Sequence, residues 1–329
     1  MNSPIFVFNG DADGIISQHL MALSGIRPSL RITGLKRDIS LLRQLPPVKA
    51  ADLYVFDISL AKNHEFLEPL LKNPDLTWEW FDHHEAGPLF HHPRLKTHIH
   101  MAPGICTAMI VSRNLARFDV RWVAAASFGD NLPESSMALL APLNLPEKAI
   151  LDLKELGELL NYNAYGETEA DVLIQPLELA LILSAYQDPL IFHREAKILP
   201  LIRAQKAADE LALGELKPVE SQGRSSLYLL PAQPWAGRMG AVIANRLATT
   251  CPDKAIAILH PLRDGSLRVS IRSPRSSGNS SASIRSASHL ASQFPTGGGR
   301  IQAAGINHLP AEEKDRFSRL FFEYYRCES

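Results

Sequence analysis

Three short apolar runs in the first third of the chain each end in side chains that can bind a metal ion. The runs and the residues that follow them are 5–8 with Asp11 and Asp13, 53–56 with Asp57, and 77–81 with Asp82, His83 and His84. Open parallel sheets bind ligands at the carboxyl ends of their strands. Carboxylates gathered there repel one another, and a divalent ion allows them to stay ionised. The pattern therefore predicts a metal centre.

Each part of this pattern has a plainer interpretation when it is taken alone. A DxDG turn is more often a surface turn or a helix N-cap, and adjacent histidines such as His91 and His92 occur in ordinary loops. The order of the parts and their shared position at strand ends favour the metal centre. His98 and His100 are ligands by residue type, but we interpret their segment as a solvated loop or strand.

The elements that must position these residues alternate along the chain. Strand, acidic turn and helix patterns follow one another in the first half, which predicts βα units around a parallel sheet. A smaller set of strand and helix patterns follows a helical, polar stretch. We therefore expect an α/β protein with a metal-binding domain at 1–195, a linker at 196–224 and a smaller α/β domain at 225–329. The two domains are expected to form a bilobed molecule with a cleft between them.

The composition excludes several classes of protein. Of the 329 residues, 46% are hydrophobic and 21% are charged, which is typical of globular chains. Three widely spaced cysteines without a CxxC pair argue against a disulfide framework or a thiolate zinc site, and they favour a reducing compartment. No secretory or membrane-spanning pattern is found, so we expect a cytoplasmic protein without a membrane partner. The net charge of -1 argues against long nucleic acid as a partner.

Four ordered motifs resemble those of the DHH phosphoesterase superfamily. They are NGDADG at 9–14, VFDIS at 55–59, FDHHE at 81–85 and FGDN at 128–131. The distal segment GGGRIQAAG at 297–305 is similar to the glycine-rich signature GGGHxxAAG of the DHH-associated C-terminal domain. Members of this superfamily include RecJ-type nucleases, nanoRNases, family II pyrophosphatases and cyclic-dinucleotide phosphodiesterases.

The resemblance implies a role for each motif residue. The implied metal ligands are Asp11, Asp13, Asp57, His83 and Asp130, with Asp57 as the bridge. Asp82 would orient the ligating imidazole or complete the surroundings of the metal, and His84 would bind phosphoryl oxygens or assist the leaving group. Oxygen and imidazole ligands without thiolate favour Mn²⁺ at a two-metal site, with Mg²⁺ as the alternative.

The chain departs from the superfamily pattern at two positions. Val7 stands where many members carry a histidine, so one metal site lacks a usual ligand. Either Asn9 or water takes its place, or the second ion binds weakly. Arg300 replaces the histidine of GGGH, so the substrate preference of nanoRNases cannot simply be carried over.

Positive charge is concentrated between positions 263 and 300. Six arginines and one acidic residue give this segment a local charge of +5. Within it, Arg268, Ser270 and Arg272 share one face of a predicted strand. Three glycines would let backbone N–H groups approach an anion, and an adjacent guanidinium suits phosphate. The residues expected to bind substrate are Arg272, Gly297, Gly298, Gly299 and Arg300, whereas we interpret 276–283 as a solvated loop.

The predicted function is metal-dependent phosphodiester hydrolysis. The favoured substrates are short oligonucleotides or linear dinucleotides such as pGpG, cleaved to mononucleotides by an oligoribonuclease of the nanoRNase type. One alternative is a cyclic-dinucleotide phosphodiesterase or a pAp phosphatase. Another, prompted by Val7, is a non-catalytic nucleotide-binding protein. A RecJ-like exonuclease on long single strands is less favoured because the chain lacks broad positive charge; assembly as a homodimer is left open.

Overall fold

The structure, a computed structural model, describes residues 3–88, 91–274 and 285–326. The chain divides into two units between Lys206 and Ala207. This division lies inside helix α9 (Ile198–Gly214), so the segment expected to be a linker, 196–224, is mostly helical. The Ser-rich segment at 276–283, expected to be a solvated loop, lies outside the described residues.

A parallel sheet forms the centre of the first unit, as the sequence predicts. Its five described strands are β1 (Pro4–Asn9), β2 (Leu30–Gly34), β3 (Ala51–Phe56), β4 (Leu76–Asp82) and β5 (Leu95–Ile99). Their spatial order is β2-β1-β3-β4-β5, and every neighbouring pair is parallel. The three strands predicted from acid-terminated apolar runs are therefore the three central strands of the sheet.

Alternating side chains of the central strands build two apolar layers. Val7 of β1 lies in a buried cluster with Val55 of β3 on one face of the sheet. On the opposite face, Phe6 contacts Phe56 edge to face, with ring centroids 5.3 Å apart. Strands that are buried on both faces appear in a sequence as continuous apolar runs, which explains why β1 and the carboxyl ends of β3 and β4 could be recognised.

Helices cover the sheet and set the directions of the loops at its carboxyl edge. The helices of this unit are α1 (Ala12–Leu23), α2 (Leu60–Leu70), α3 (Thr107–Ser112), α4 (Val120–Gly129), α5 (Pro133–Leu140), α6 (Glu147–Asn163), α7 (Pro176–Leu183), α8 (Pro189–Glu195) and most of α9. Helix α1 packs against α3 and α4, and α4 packs against α6. Helix α1 begins beside Asp11 and Asp13, and α4 ends beside Asp130, so the packing of these helices positions predicted site residues.

The second unit contains a mixed sheet, which agrees with the predicted smaller α/β unit. Its six described strands are β6 (Glu220–Gln222), β7 (Ser225–Leu229), β8 (Ala255–Pro261), β9 (Leu267–Arg272), β10 (Gly297–Gly299) and β11 (Ala303–Leu309). The spatial order is β10-β11-β9-β8-β7-β6, in which only β7 and β8 are parallel neighbours. The helices are α10 (Pro234–Thr250), α11 (Ala287–Ala291) and α12 (Lys314–Tyr325).

The apolar core of the second unit lies between its sheet and the last two helices. Val269 and Ile271 of β9 pack in one cluster with Phe317 and Phe321 of α12. The alternate residues of β9 are half-buried, as the predicted two-residue period requires. Among the described residues, none of the helices in either unit is both long and apolar enough to cross a membrane.

Candidate metal centre

The carboxyl ends of β1, β3 and β4 bring most of the predicted metal ligands together. Two groups of side chains have potential donor atoms within 4.8 Å of one another: Asp57 with His83 and His84, and Asp13 with His83 and Asp130. Both groups share His83, so they form one continuous cluster. The aspartate from the FGDN motif joins this cluster because α4 ends beside it, with Asp130 as the C-cap residue.

His83 is oriented with one ring nitrogen towards the carboxylates. Its Nδ1 lies 2.8 Å from the carbonyl oxygen of Ile105. A carbonyl oxygen can only accept, so Nδ1 carries the proton and donates it. The other nitrogen, Nε2, lies 3.4 Å from an oxygen of Asp57 and 3.4 Å from an oxygen of Asp130. Because Nδ1 is bound to Ile105, Nε2 is the nitrogen that faces the two carboxylates, which is the orientation of a metal-ligating imidazole.

Helix α3 holds the carboxylate of Asp13 in place. The backbone N–H groups of Thr107 and Ala108 donate to the two oxygens of Asp13 at 2.6 and 2.8 Å. The Thr107 hydroxyl donates to Asp57 at 3.0 Å, so one residue fixes two carboxylates. Sequence reasoning missed Thr107, because a threonine 94 residues away from Asp13 carries no local signal of this contact.

The backbone at Asp57 is strained at the point where β3 enters the site. Asp57 has a φ of 59°, which is the left-handed region that residues other than glycine rarely adopt. Asn131, the residue after Asp130, has the same φ. Strained backbone of this kind clusters at functional sites, where the surrounding structure holds it in place. Both turns direct an acidic side chain into the cluster.

Asp82 and His84 form a second pair beside the cluster. An oxygen of Asp82 lies 2.7 Å from Nδ1 of His84, and this hydrogen bond raises the pKa of His84 above its usual value. Asp82 is therefore paired with His84, whereas His83 is oriented by Ile105. The other oxygen of Asp82 is buried and has no hydrogen-bond partner within the described part of the chain. His84 is 43% exposed at its side chain, so it can reach a bound molecule.

Asp11 is engaged differently from the other predicted ligands. One oxygen accepts the Gly14 N–H at 3.0 Å as the cap of α1, and the other lies 2.5 Å from the ammonium of Lys36. A side chain on Gly14 would collide with the Asn9 carbonyl, so this turn requires glycine. Asn9 accepts the Asp11 N–H and donates to the Lys36 carbonyl, so its amide holds the loop.

Lys36 is a site residue that sequence reasoning did not identify. It follows β2, a strand whose short and partly polar sequence was not recognised. Burial alone lowers the pKa of Lys36, but the carboxylates of Asp11 and Asp130 raise it on balance, so the side chain is an ammonium. Burial raises the pKa of Asp11, yet Lys36 outweighs that effect and the net pKa of Asp11 is lowered.

The remaining carboxylates have too little positive charge around them. Burial raises the pKa of Asp57 well above its usual range, and neighbouring carboxylates raise it further. Burial, followed by the charge of Asp13, raises the pKa of Asp130 from 3.8 to about 6. Buried carboxylates that repel one another, with an imidazole nitrogen facing them, fit a divalent ion bound by oxygen and nitrogen.

The glycine triplet of the second unit forms a strand, which differs from the open loop expected of an anion cradle. Gly297 to Gly299 form β10 and pair antiparallel with β11. A side chain on Gly297 would collide with the backbone of Ala291, and Gly299 has a φ of 143°. The Gly297 N–H donates to the Phe294 carbonyl at 2.9 Å. Close packing thus requires glycine at position 297, and the backbone conformation requires it at position 299. A side chain on Gly298 would meet open space, so neither cause explains that glycine.

The two arginines expected to bind substrate lie in different surroundings. Arg300 is exposed at the turn between β10 and β11, where its N–H donates to the Ala303 carbonyl at 2.8 Å. Arg272 is half-buried, and its guanidinium donates to Asn245 at 3.0 Å. Arg300 is therefore available to a ligand without breaking a described side-chain contact. Substrate binding by the arginines and glycines stays a prediction.

His98 and His100, which we interpret as ordinary side chains, belong to neither group of potential ligands among the described residues. His98 is half-buried in β5, where it stacks on Phe81 with ring centroids 4.4 Å apart and bonds to Glu79 at 2.8 Å. His100 is exposed after the end of this strand. Packing against the sheet thus explains the position of His98.

Solved structures with a similar fold include manganese-bound nucleases. No protein-family model matches the chain, and no curated protein matches it. Exonuclease RecJ bound to manganese is 15% identical with a TM-score of 0.61, over 99% of this chain and 91% of that one. RecJ from Thermus thermophilus in complex with Mn²⁺ is 14% identical with a TM-score of 0.59, over 100% of this chain and 53% of that one.

Another solved structure matches over nearly the full length of both chains. The pGpG-specific phosphodiesterase PggH from Vibrio cholerae is 13% identical with a TM-score of 0.52, over 98% of both chains. These likenesses extend across both units and agree with the resemblance that the sequence motifs indicate. The chain has the fold of the DHH phosphoesterase superfamily.

Proposed function

We propose that this protein is a metal-dependent phosphodiesterase that hydrolyses short oligonucleotides or linear dinucleotides such as pGpG to mononucleotides. The observation that carries the proposal is the cluster at the carboxyl edge of the parallel sheet. Nε2 of His83 lies 3.4 Å from carboxylate oxygens of both Asp57 and Asp130, and Asp13 belongs to the same group of potential ligands as His83 and Asp130. Packing of the core does not require three carboxylates and an imidazole to lie close together, so a binding function explains the cluster better.

The ligand set favours Mn²⁺, with Mg²⁺ as the alternative, because imidazole binds manganese better than magnesium. Solved structures of RecJ contain manganese or magnesium, in agreement with this choice. A bound divalent ion would supply Lewis-acid polarisation of the phosphoryl group and activation of water. Asp13, Asp57, His83 and Asp130 would hold it, and Thr107 would keep two of these carboxylates oriented.

His84 is the residue best placed to act on the substrate itself. Its side chain reaches solvent while Asp82 fixes Nδ1, so Nε2 faces away from that carboxylate. Asp82 favours the protonated imidazole, which can donate a hydrogen bond to a phosphoryl oxygen or a proton to the leaving oxygen. Asp82 is thus a positioning residue, and His84 is the proposed catalytic residue.

The proposed preference for short substrates has two supports. An excess of positive charge is concentrated in the segment 263–300 of a chain whose total charge is -1. In addition, the chain shares its fold with a pGpG-specific phosphodiesterase over 98% of both chains. We propose that Arg300, Arg272 and Gly297 to Gly299 bind the substrate, with Arg300 as the main phosphate contact.

We also propose that the reaction takes place in the cytoplasm. Among the residues that the structure describes, Cys106 and Cys251 are free thiols, whereas proteins of oxidising compartments usually contain disulfides. Cys106 is buried at the start of α3, where burial raises the pKa of its thiol. Its surroundings therefore suit a packing role in a reduced protein.

The test is hydrolysis of pGpG by the purified full chain in the presence of Mn²⁺. We expect conversion to two molecules of GMP, identified by chromatography of the products. Cyclic diguanylate and pAp, assayed in parallel at the same concentration, should react more slowly. Absence of hydrolysis for every nucleotide in the panel would contradict the proposal and favour a nucleotide-binding protein.

A RecJ-type exonuclease is the second candidate function. The manganese-bound RecJ structure shares the fold over 99% of this chain, which favours this candidate. Local rather than general positive charge opposes it, because single-strand binding relies on basic surface along the strand. Dependence of efficiency on strand length distinguishes the two candidates.

A further inference from the structure

Lys36 is held at the metal centre through its own backbone. Its N–H donates to the Ala164 carbonyl at 3.1 Å, and its carbonyl accepts from the Asn9 side chain at 3.1 Å. These bonds join the end of β2 to the loop of the first motif and to the end of α6. The lysine is therefore built into the site.

The ammonium of Lys36 has an oxygen environment like that of a bound cation. Its Nζ lies 2.5 Å from Asp11, 3.0 Å from the amide oxygen of Asn161 and 3.5 Å from Asp130. The ring of Tyr165 lies on another side, with its centroid at 5.7 Å. The side chain is only 29% exposed. Withdrawal of Lys36 would leave the buried carboxylate of Asp11 without this charge partner.

Both oxygens of Asp11 are consequently engaged. One oxygen caps α1 and the other binds Lys36. Val7, which stands where many DHH proteins have a histidine, is fully buried in the apolar core. One potential ligand of a second ion, Asp11, is thus bound to the Lys36 ammonium, and the other, a histidine, is replaced by Val7. The other implied ligands, Asp13, Asp57, His83 and Asp130, belong to the two groups of donor atoms that share His83.

We propose that the Lys36 ammonium takes the place of a second divalent ion, so that the protein binds one ion per chain. Asp13, Asp57, His83 and Asp130 hold that ion, and Lys36 supplies the neighbouring positive charge. The inference rests on the proposed metal-dependent function and revises the expected two-metal site. A fixed ammonium is a compact charge that can stabilise carboxylates without exchanging with solvent.

Binding stoichiometry tests this inference without measuring activity. The metal-free full chain would be titrated with Mn²⁺, with bound and free ion separated by equilibrium dialysis and the bound ion examined by electron paramagnetic resonance. We expect one ion per wild-type chain, with the signal of an isolated Mn²⁺. Lys36→Ala should bind a second, weaker ion, because Asp11 is released and one positive charge is removed. Lys36→Arg keeps the charge and should bind one ion.

Lys206→Ala is a matched control, because the Lys206 side chain is 28% exposed and its ammonium pairs at 3.3 Å with Glu158, which is not a proposed metal ligand. It should bind one ion, as the wild type does. Two ions in the wild type would overturn the inference even if Lys36→Ala failed to fold. One ion in a folded Lys36→Ala variant, verified by circular dichroism, would also overturn it. One ion without phosphodiester hydrolysis would instead reject the proposed function and leave the inference intact.

Discussion

Asp57 and His83 link the strand ends to the proposed chemistry. Asp57 is buried in a left-handed turn after β3, and His83 points Nε2 at it from the end of β4. Neither arrangement is needed to pack an apolar core, and the turn at Asp57 costs conformational energy. These side chains are therefore the most direct targets for testing the site.

We predict that Asp57→Asn and His83→Ala each lower turnover by at least about two orders of magnitude while the fold is retained. Asparagine suits the left-handed backbone of residue 57 and removes only the charge. Initial rates with Mn²⁺ and circular dichroism would measure the two effects. His100→Ala, at an exposed histidine after β5, should keep normal turnover. Near-normal turnover in Asp57→Asn or His83→Ala would show that the ligand assignment is wrong.

Residue types and spacing revealed the acidic and histidine members of the site but not their supports. Asp11, Asp13, Asp57, Asp82, His83 and His84 all follow recognisable strands. Thr107 and Lys36 contact these residues across 94 and 25 positions of sequence. Such contacts depend on helix packing and on β2, and neither threonine nor lysine has a local pattern that marks it as a site residue.

At the scale of elements, burial decided which strands could be recognised. Strand β1 is buried on both faces along almost its whole length, and β3 and β4 are buried on both faces at their carboxyl ends, where the apolar runs lie. The edge strand β5 carries exposed Lys96 and Thr97, and β10 consists of three glycines. Their pairing is set by neighbouring strands, so the sequence of either segment alone does not predict a strand.

Helix α1 contains a buried histidine that should make stability depend on pH. His19 lies edge to face against Trp122 of α4, with ring centroids 4.9 Å apart. Burial lowers the pKa of His19 from 6.5 to about 4. As the pH falls below 6.5, the unfolded chain binds a proton before the folded chain does. The stability contributed by neutral His19 is therefore present above pH 6.5 and is lost as the pH falls towards 4.

We predict that His19→Leu removes this dependence on pH. In the wild type, the loss in the free energy of unfolding is about 3 kcal/mol for the full difference in pKa between the unfolded and folded chain. Denaturant unfolding of metal-free protein between pH 7 and 4.5 would measure it by tryptophan fluorescence. Three of the four tryptophans, Trp78, Trp80 and Trp122, belong to the first unit. Relative to His19→Leu, the wild type should become less stable as the pH falls. Parallel stability curves for the two proteins would contradict the assignment.

The hairpin of β10 and β11 presents Arg300 to solvent, which makes its role testable. We predict that Arg300→Ala raises KM through a loss of roughly 1.5 to 3 kcal/mol in phosphate binding, with little change in kcat. Arg300→Lys should rescue binding partly, because it keeps the charge without the planar guanidinium. Arg319→Ala, at another exposed arginine of the second unit, is the control. An unchanged KM in Arg300→Ala would exclude the hairpin from substrate binding.

For the whole molecule, the sequence predicted two α/β units and a parallel sheet with ligands at its carboxyl edge. The fold could be predicted because the motifs occur in the order found in the DHH superfamily. The motif residues also follow successive strands, and in a parallel sheet the ends of such strands lie at one edge. The division between Lys206 and Ala207 was harder to locate, because it lies inside the continuous helix α9. A helix that crosses a division has no glycine-rich or disordered composition to mark it.

The charge distribution of the whole chain predicts a preference for short substrates. The segment from 263 to 300 carries +5, so the rest of the chain carries -6. A long polyanion would therefore be attracted to one segment and repelled by much of the remaining protein. We predict that kcat/KM falls as oligonucleotides lengthen beyond about two to five residues. A dinucleotide, a five-residue oligomer and a much longer strand would be compared at matched ionic strength; equal or rising efficiency would favour the RecJ-type candidate.

The central claim is that a divalent ion held by the carboxylates and His83 is required for phosphodiester hydrolysis. Its most direct test is the rate of pGpG hydrolysis by one preparation of the full chain, first in excess chelator and then after the chelator is replaced by Mn²⁺. We predict no turnover in chelator, restoration by Mn²⁺ that exceeds restoration by Mg²⁺, and no restoration for Asp57→Asn. Full turnover in excess chelator would contradict the claim.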